Sequence, residues 1–147
     1  MATSVQAAGH ALILYDGVCG LCNDVVQFVL RHDAAGRFWF CALQDPLAGR
    51  ILASHQLDAA KLDTFCLVNM PFSSGEQVLV RSDAAVAVLL ELGGGWRLLG
   101  KILRIVPRPV RDLGYRVVAR VRYRIFGRLD ACPLPSAAQR DRFLESR

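Results

Sequence analysis

The chain has 147 residues, 53% of them hydrophobic, with five cysteines and a net charge of +5. That length suits one domain with a real core, and no apolar run approaches the ~18–20 residues needed to span a bilayer. Five thiols cannot all pair within the chain, so a reducing cytoplasm with one functional dithiol accounts for them better than a disulfide scaffold. The stretch Met1–His10 has no Lys or Arg, and the apolar run after it is shorter than the ~7–15 residues of a secretory segment, so no export signal is expected.

The elements follow in a simple order. Ala11–Tyr15 reads as a buried strand, followed by a helix from about Cys22 to Arg31 with Val25, Val26, Phe28 and Val29 on its apolar faces. The turn 32–36 leads to a strand over Arg37–Leu43. Asp45-Pro46 then opens a helix that runs to about His55, with proline suited to its first turn. Lys61 and Asp63 precede a third strand over Thr64–Asn69, and a turn from Pro71 to Glu76 leads to a fourth over Gln77–Arg81. Ser82 is placed as the N-cap of a helix reaching Leu92, which Gly93-Gly94-Gly95 ends.

Beyond the glycines, the segment Trp96–Arg128 holds ten Lys or Arg against one acid, Asp112, an excess of nine that leaves −4 for the rest of the chain. Arg97, Lys101, Arg104, Arg108 and Arg111 recur at spacings of four and three, opposite Leu98, Leu99, Ile102, Leu103 and Ile105. Pro107 and Pro109 should interrupt this helix, and a second begins at Arg111 and runs to Phe126, with Arg116, Arg120 and Arg124 on one face. The plain reading is two cationic amphipathic helices that pack their apolar sides on the sheet and keep arginines in water. An anionic membrane surface and an acidic protein partner are the other readings. Nucleic acid is not indicated, since no nucleic-acid motif accompanies the charge.

Chemistry concentrates at Cys19-Gly20-Leu21-Cys22, where the first strand turns into the first helix. A thiol at a helix N-terminus faces unpaired N–H groups and the positive end of the macrodipole, which favour a thiolate. A second thiol three residues on can close a small disulfide ring. A zinc half-site is the main rival, but zinc needs about four ligands, and Cys41, Cys66, Cys132, His10, His32 and His55 are scattered without ligand spacing. Inert packing of two small apolar side chains also stays open. Cys41 and Cys66 lie in apolar strand runs and read as core. Cys132 lies near the chain end as a bystander or exposed third thiol, and the histidines read as surface residues without partners.

Asp16 stands three residues before Cys19, completing D-x-x-C-x-x-C within Tyr15–Asn23. This closely resembles the DCC family of thiol-disulfide oxidoreductases. The likeness continues through Ala42-Leu43-Gln44, Ser82-Asp83-Ala84, Trp96-Arg97-Leu98-Leu99, Val106-Pro107-Arg108-Pro109, Tyr115-Arg116 and the stretch Arg122–Gly127, covering roughly residues 10–135. It implies an α/β, thioredoxin-like fold: a central sheet of about four strands, flanking helices and a basic C-terminal helical extension. The expected organisation is a single domain, with a core over 10–95 and the extension packed on it over 96–130.

In this frame Cys19, nearest the helix N-terminus, is the expected nucleophile and the better exposed thiol, and Cys22 is the resolving thiol. Asp16 either accepts a proton from Cys22 or caps the turn through its side chain. Tyr15, Gly17, Gly20 and Asn23 are candidate positioning residues. No metal and no cofactor beyond the Cys19–Cys22 pair is expected, with an external thiol as reductant and a protein or small-molecule disulfide or thiol as substrate. One departure stands out: thioredoxins place a cis-proline at the start of the third strand, whereas Asp63-Thr64-Phe65 has none. The alternatives are a peripheral membrane or partner-binding module acting through the cationic helices, and a redox sensor whose disulfide reorganises them.

Overall fold

A computed structural model describes residues 10–58, 65–127, 137 and 140–144. Lys61, Asp63, Thr64 and Cys132 lie outside the described residues. Four strands, β1 (Ala11–Tyr15), β2 (Phe38–Ala42), β3 (Phe65–Asn69) and β4 (Gln77–Val80), form one sheet in the order β2-β1-β3-β4. β1 pairs parallel with β2 and antiparallel with β3, and β3 pairs antiparallel with β4. The parallel pair needs a crossover, which α1 (Gly20–His32) supplies. This mixed α/β sheet with helices on its faces is thioredoxin-like.

Side chains alternate across the strands, so each strand feeds two cores. Ile13, Tyr15, Phe38, Phe40 and Leu67 meet Val26 and Val29 of α1, and Ala84 and Val88 of α3 (Arg81–Leu92). On the opposite face Leu12, Leu14, Cys41, Cys66 and Val68 meet Ala48, Ile51 and Leu52 of α2 (Pro46–Ser54). Burial on both faces explains why β1 is an unbroken apolar run. Cys41 and Cys66 pack here as free thiols, and burial pushes the Cys66 thiol up to about 12.

Helix ends follow local chemistry in places and tertiary contacts in others. The Asp45 carboxylate accepts the Leu47 N–H at 2.8 Å ahead of Pro46, a capped start for α2. Ser82 departs from expectation. α3 begins at Arg81 without a side-chain cap, and the Ser82 hydroxyl instead donates to the Asp112 carboxylate. Gly93, at φ +76°, turns the chain from α3 into α4 (Gly94–Ile105). α5 (Arg108–Phe126) begins just after Pro107, three residues before the expected Arg111, because Pro109 is tolerated in a helix's first turn.

The basic helices are not laid apolar-side-down on the sheet. α4 packs chiefly on α3, and α5 crosses α3 and α1. Because α3 and α1 already cover that sheet face, the later helices form an outer layer. Leu98, Leu99, Ile102 and Ile105 are left exposed, and Leu103 is half-buried. α4 approaches closely at Gly100, where a Cβ would stand 3.1 Å from Leu89 Cβ and 3.2 Å from the Leu90 side chain. At the other end of the sheet, Leu144 donates its N–H to the Phe40 carbonyl at 2.7 Å, and the Arg142 guanidinium reaches the Phe38 carbonyl and the Asp33 carboxylate. This return covers the free side of β2, an edge that would otherwise invite pairing with another chain.

Candidate active site

Cys19 occupies the N-cap position of α1 in extended backbone, and Cys22 lies in the first turn. Both are thiols. Cys19 is fully buried and Cys22 is 2% exposed, which corrects the expectation that Cys19 is the exposed partner. Both pack into the apolar cluster between the sheet, α1 and α3, and the N–H of Gly20 between them donates to the carbonyl of Gly127, just past α5, at 3.2 Å. The Cys22 thiol is pushed well above its ordinary value, first by burial and then by its hydrogen bond to Cys19 and the Cys19 charge. The main-chain N–H of Asp16 pulls the other way, and the Asp16 carboxylate adds to the rise.

Asp16 organises the loop. Its Oδ1 accepts the Val18 N–H at 3.1 Å, an Asx turn, and the Gln44 Nε2–H at 2.8 Å. Its Oδ2 faces Arg122 Nη2 at 3.5 Å, a pair whose side chains are both about one-tenth exposed. The Gln44 Oε1 accepts the Gly17 N–H at 3.0 Å, so one amide ties two loop positions to the end of β2. Asn23 Nδ2 donates to the carbonyls of Gly17 and Cys19, both at 2.9 Å, and clamps the loop onto α1. Tyr15 is buried in the same apolar cluster as Cys19 and Cys22, edge-on to Phe143 with ring centroids 6.3 Å apart. Asp16, Gly17, Gly20 and Asn23 therefore gather around the two thiols, and Tyr15, at the end of β1, packs in the cluster that buries them.

A dithiol, a buried carboxylate and a conformationally pinned loop on a thioredoxin-like sheet form an arrangement suited to thiol–disulfide exchange. The description DCC1-like thiol-disulfide oxidoreductase matches residues 13–128. The chain belongs to this family. It is 39% identical over 142 residues to a Bacillus subtilis (strain 168) protein described as uncharacterized protein YuxK, covering 97% of this chain and 98% of that one. It is 32% identical over 123 residues to an Arabidopsis thaliana protein described as DCC family protein At1g52590, chloroplastic, covering 84% of this chain and 69% of that one. No solved structure matches it.

Two residues of this DCC1-like site had no assigned role in the sequence reading. Gln44 stood in the resemblance without a function, and Arg122 was one cation among ten. A signal for Arg122 was present: it falls two residues from Arg120 and Arg124, off the face they share. The start of β3, where proline is missing, is also filled by α5. Tyr115 Oη accepts the Phe65 N–H at 3.3 Å and donates to the Phe65 carbonyl at 3.4 Å. Beside it, between α1, α3, α4 and α5, lies an apolar cavity of about 450 Å³ with Cys22 in its wall.

Two of the three histidines have polar partners, contrary to expectation, and the third packs on an aromatic ring. His55 Nε2 lies 2.8 Å from Glu76 Oε1, His32 Nδ1 lies 2.8 Å from the Phe28 carbonyl, and His10 packs on Trp39. None adjoins the dithiol as part of a metal set: among the described residues no three His, Cys, Asp or Glu side chains gather to hold an ion.

Proposed function

We propose that this DCC1-like protein is a thiol-disulfide oxidoreductase whose couple is Cys19–Cys22. The observation that carries the reading is the pairing of the two thiols at the head of α1, with the Cys22 proton held first by burial and then by its hydrogen bond to Cys19. Cys19 attacks one sulfur of the substrate disulfide, giving a mixed disulfide and releasing one thiolate. Cys22, protonated until then, loses its proton and attacks the Cys19 sulfur. A Cys19–Cys22 disulfide forms and the second substrate thiol leaves, so two electrons pass from dithiol to substrate. Asp16, held by Gln44, Val18 and Arg122, keeps the loop in place; its main-chain N–H favours a Cys22 thiolate and its carboxylate opposes one.

The test is equilibration of the full chain in graded glutathione redox buffers, with thiol trapping and mass readout beside Cys19→Ser and Cys22→Ser. A reversible loss of two thiols mapping to Cys19 and Cys22 is expected. A pair that stays reduced across the whole range in folded protein ends the reading.

A second activity is supported by the outward side of α4 and α5: peripheral attachment to an anionic membrane. Leu98 is 61% exposed, Ile105 82% and Leu113 61%, in the segment that carries nine excess positive charges. Exposed apolar residues flanked by cations suit an anionic lipid surface. A second copy of the chain meeting the same face would bring the two charge excesses together. Among the described residues, no helix is long and apolar enough to cross a membrane. The test is sedimentation with phosphatidylglycerol vesicles at low salt, where binding is expected; no binding there ends this reading.

A further inference from the structure

The cavity beside Cys22 has walls that say what it can hold. Leu21, Val25, Val86, Leu103 and Val118 are among the apolar side chains that line it. Three polar side chains reach it, and each is already engaged within the chain. Ser82 donates to Asp112, Tyr115 holds both main-chain groups of Phe65, and Arg111 binds Asp83 at 3.2 Å and the Val106 carbonyl at 3.1 Å. A polar ligand would lose water there and gain no free partner. An extended peptide would meet Phe65 main-chain groups that Tyr115 already pairs. The volume, about 450 Å³, lies in the range of small-molecule sites. Val110 and Val118, both exposed, stand in its lining and so open it to solvent. Cys19 is fully buried and does not line the cavity, whereas Cys22 does, so this opening leads to the dithiol at Cys22.

We infer that the cavity is the substrate site and that its substrate class is a small apolar disulfide rather than a polypeptide. The inference rests on the oxidoreductase reading and extends it. The exchange balances: R–S–S–R and two protein thiols become two R–SH and the Cys19–Cys22 disulfide. One S–S bond breaks as another forms, and the two thiol protons end on the released thiols. The alkyl groups R lie against Val25, Val86 and Leu103, with the disulfide beside Cys22 in the cavity wall and one sulfur presented past it to Cys19, the attacking thiol.

Two measurements test this. Reduced full-length protein is mixed with dipropyl disulfide or with glutathione disulfide, and loss of the two thiols is followed by trapping. Each rate is divided by that of dithiothreitol with the same reagent, which removes the intrinsic leaving-group difference. The normalised preference for dipropyl disulfide is expected to exceed tenfold. Gly114→Leu should reduce that preference several-fold. Gly114 lines the cavity, has open space where a Cβ would stand, and gains helix propensity on substitution, so the fold is kept. A preference near one, or no change in Gly114→Leu, overturns the proposal.

The second measurement needs no redox chemistry. In the Cys19→Ser/Cys22→Ser protein, n-pentanol is titrated and amide shifts are followed by NMR. Saturable shifts clustered at Phe65, Val86, Gly114 and Val118 support an apolar site, and shifts confined to Leu98–Ile105, or none, refute it. If neither disulfide oxidises the wild-type pair, the oxidoreductase reading fails and the disulfide assignment falls with it, while the pentanol shifts still decide whether the cavity takes apolar molecules.

Discussion

Arg122 turns a positive charge inward against Asp16, and the loop that carries the dithiol depends on both. Removing one member of a buried ion pair strands the other. Arg122→Leu should therefore destabilise the fold by about 2 kcal/mol, less than the ~3–5 of a wholly stripped charge, because Gln44 and Val18 still bond Asp16. Urea unfolding measures the loss. With the end of α5 loosened, alkylation of Cys19 in folded protein should also accelerate, on the order of tenfold by the population of open states. An unchanged alkylation rate would mean that α5 does not seal the thiol. Cys66 gives a contrasting prediction. Its thiol stands at about 12 against an ordinary 9.0, so the folded state holds a proton that the unfolded state gives up. Its contribution is complete below pH 9 and is lost as pH rises towards 12, and each unit of separation is worth about 1.4 kcal/mol. Stability measured from pH 8 to 11 should fall, and the fall should be smaller in Cys66→Ala than in wild type.

At the scale of elements, α5 keeps Arg116, Arg120 and Arg124 exposed as expected but departs from expectation in its apolar residues. Asp112, Tyr115, Ala119 and Arg122 face the protein, while Val110, Leu113, Val117 and Ile125 are exposed. Polar groups anchor it: Asp112 accepts from Ser82, a bond that holds its carboxyl below the usual range with help from Arg81 and Arg108. Periodicity marked which residues share a face but not which face turns inward, because both faces carry groups able to bond or pack. α4 is fixed differently, by backbone proximity at Gly100. Gly100→Leu should push α4 from α3 and cost about 1–3 kcal/mol, as overpacking does, despite the gain in helix propensity. Thermal unfolding checks this; a raised midpoint would show that Leu89 and Leu90 give way. The N-cap at Asp45 was legible because aspartate before proline acts locally, whereas Ser82 was misplaced because its partner lies thirty residues away.

For the whole molecule, charge separation is the dominant feature: an excess of nine over Trp96–Arg128 against −4 elsewhere. Membrane attachment through that surface should be both electrostatic and apolar. Binding to phosphatidylglycerol vesicles is expected to weaken on the order of tenfold or more when the ionic strength is raised from about 0.05 to 0.5 M. Ile105→Glu with Leu113→Glu should abolish it without loss of fold, because both side chains are exposed. Retained binding in that variant would leave only a diffuse charge effect. Phosphatidylcholine vesicles, lacking the charge, should bind weakly.

The sequence by itself determined the elements and their order, the dithiol at a strand-to-helix junction, the family and the basic C-terminal segment. These depend on neighbours within about ten residues: alternation in strands, helical spacing, caps, and a contiguous motif. The tertiary structure alone decided that both thiols are buried, that Arg122 and Gln44 hold Asp16, that Tyr115 occupies Phe65, and that residues 142–144 return to β2. Each of these joins positions 28 to 106 residues apart or depends on which side of a helix is turned inward. No local pattern encodes such a choice, because it is set by competition among all the surfaces that can be buried together.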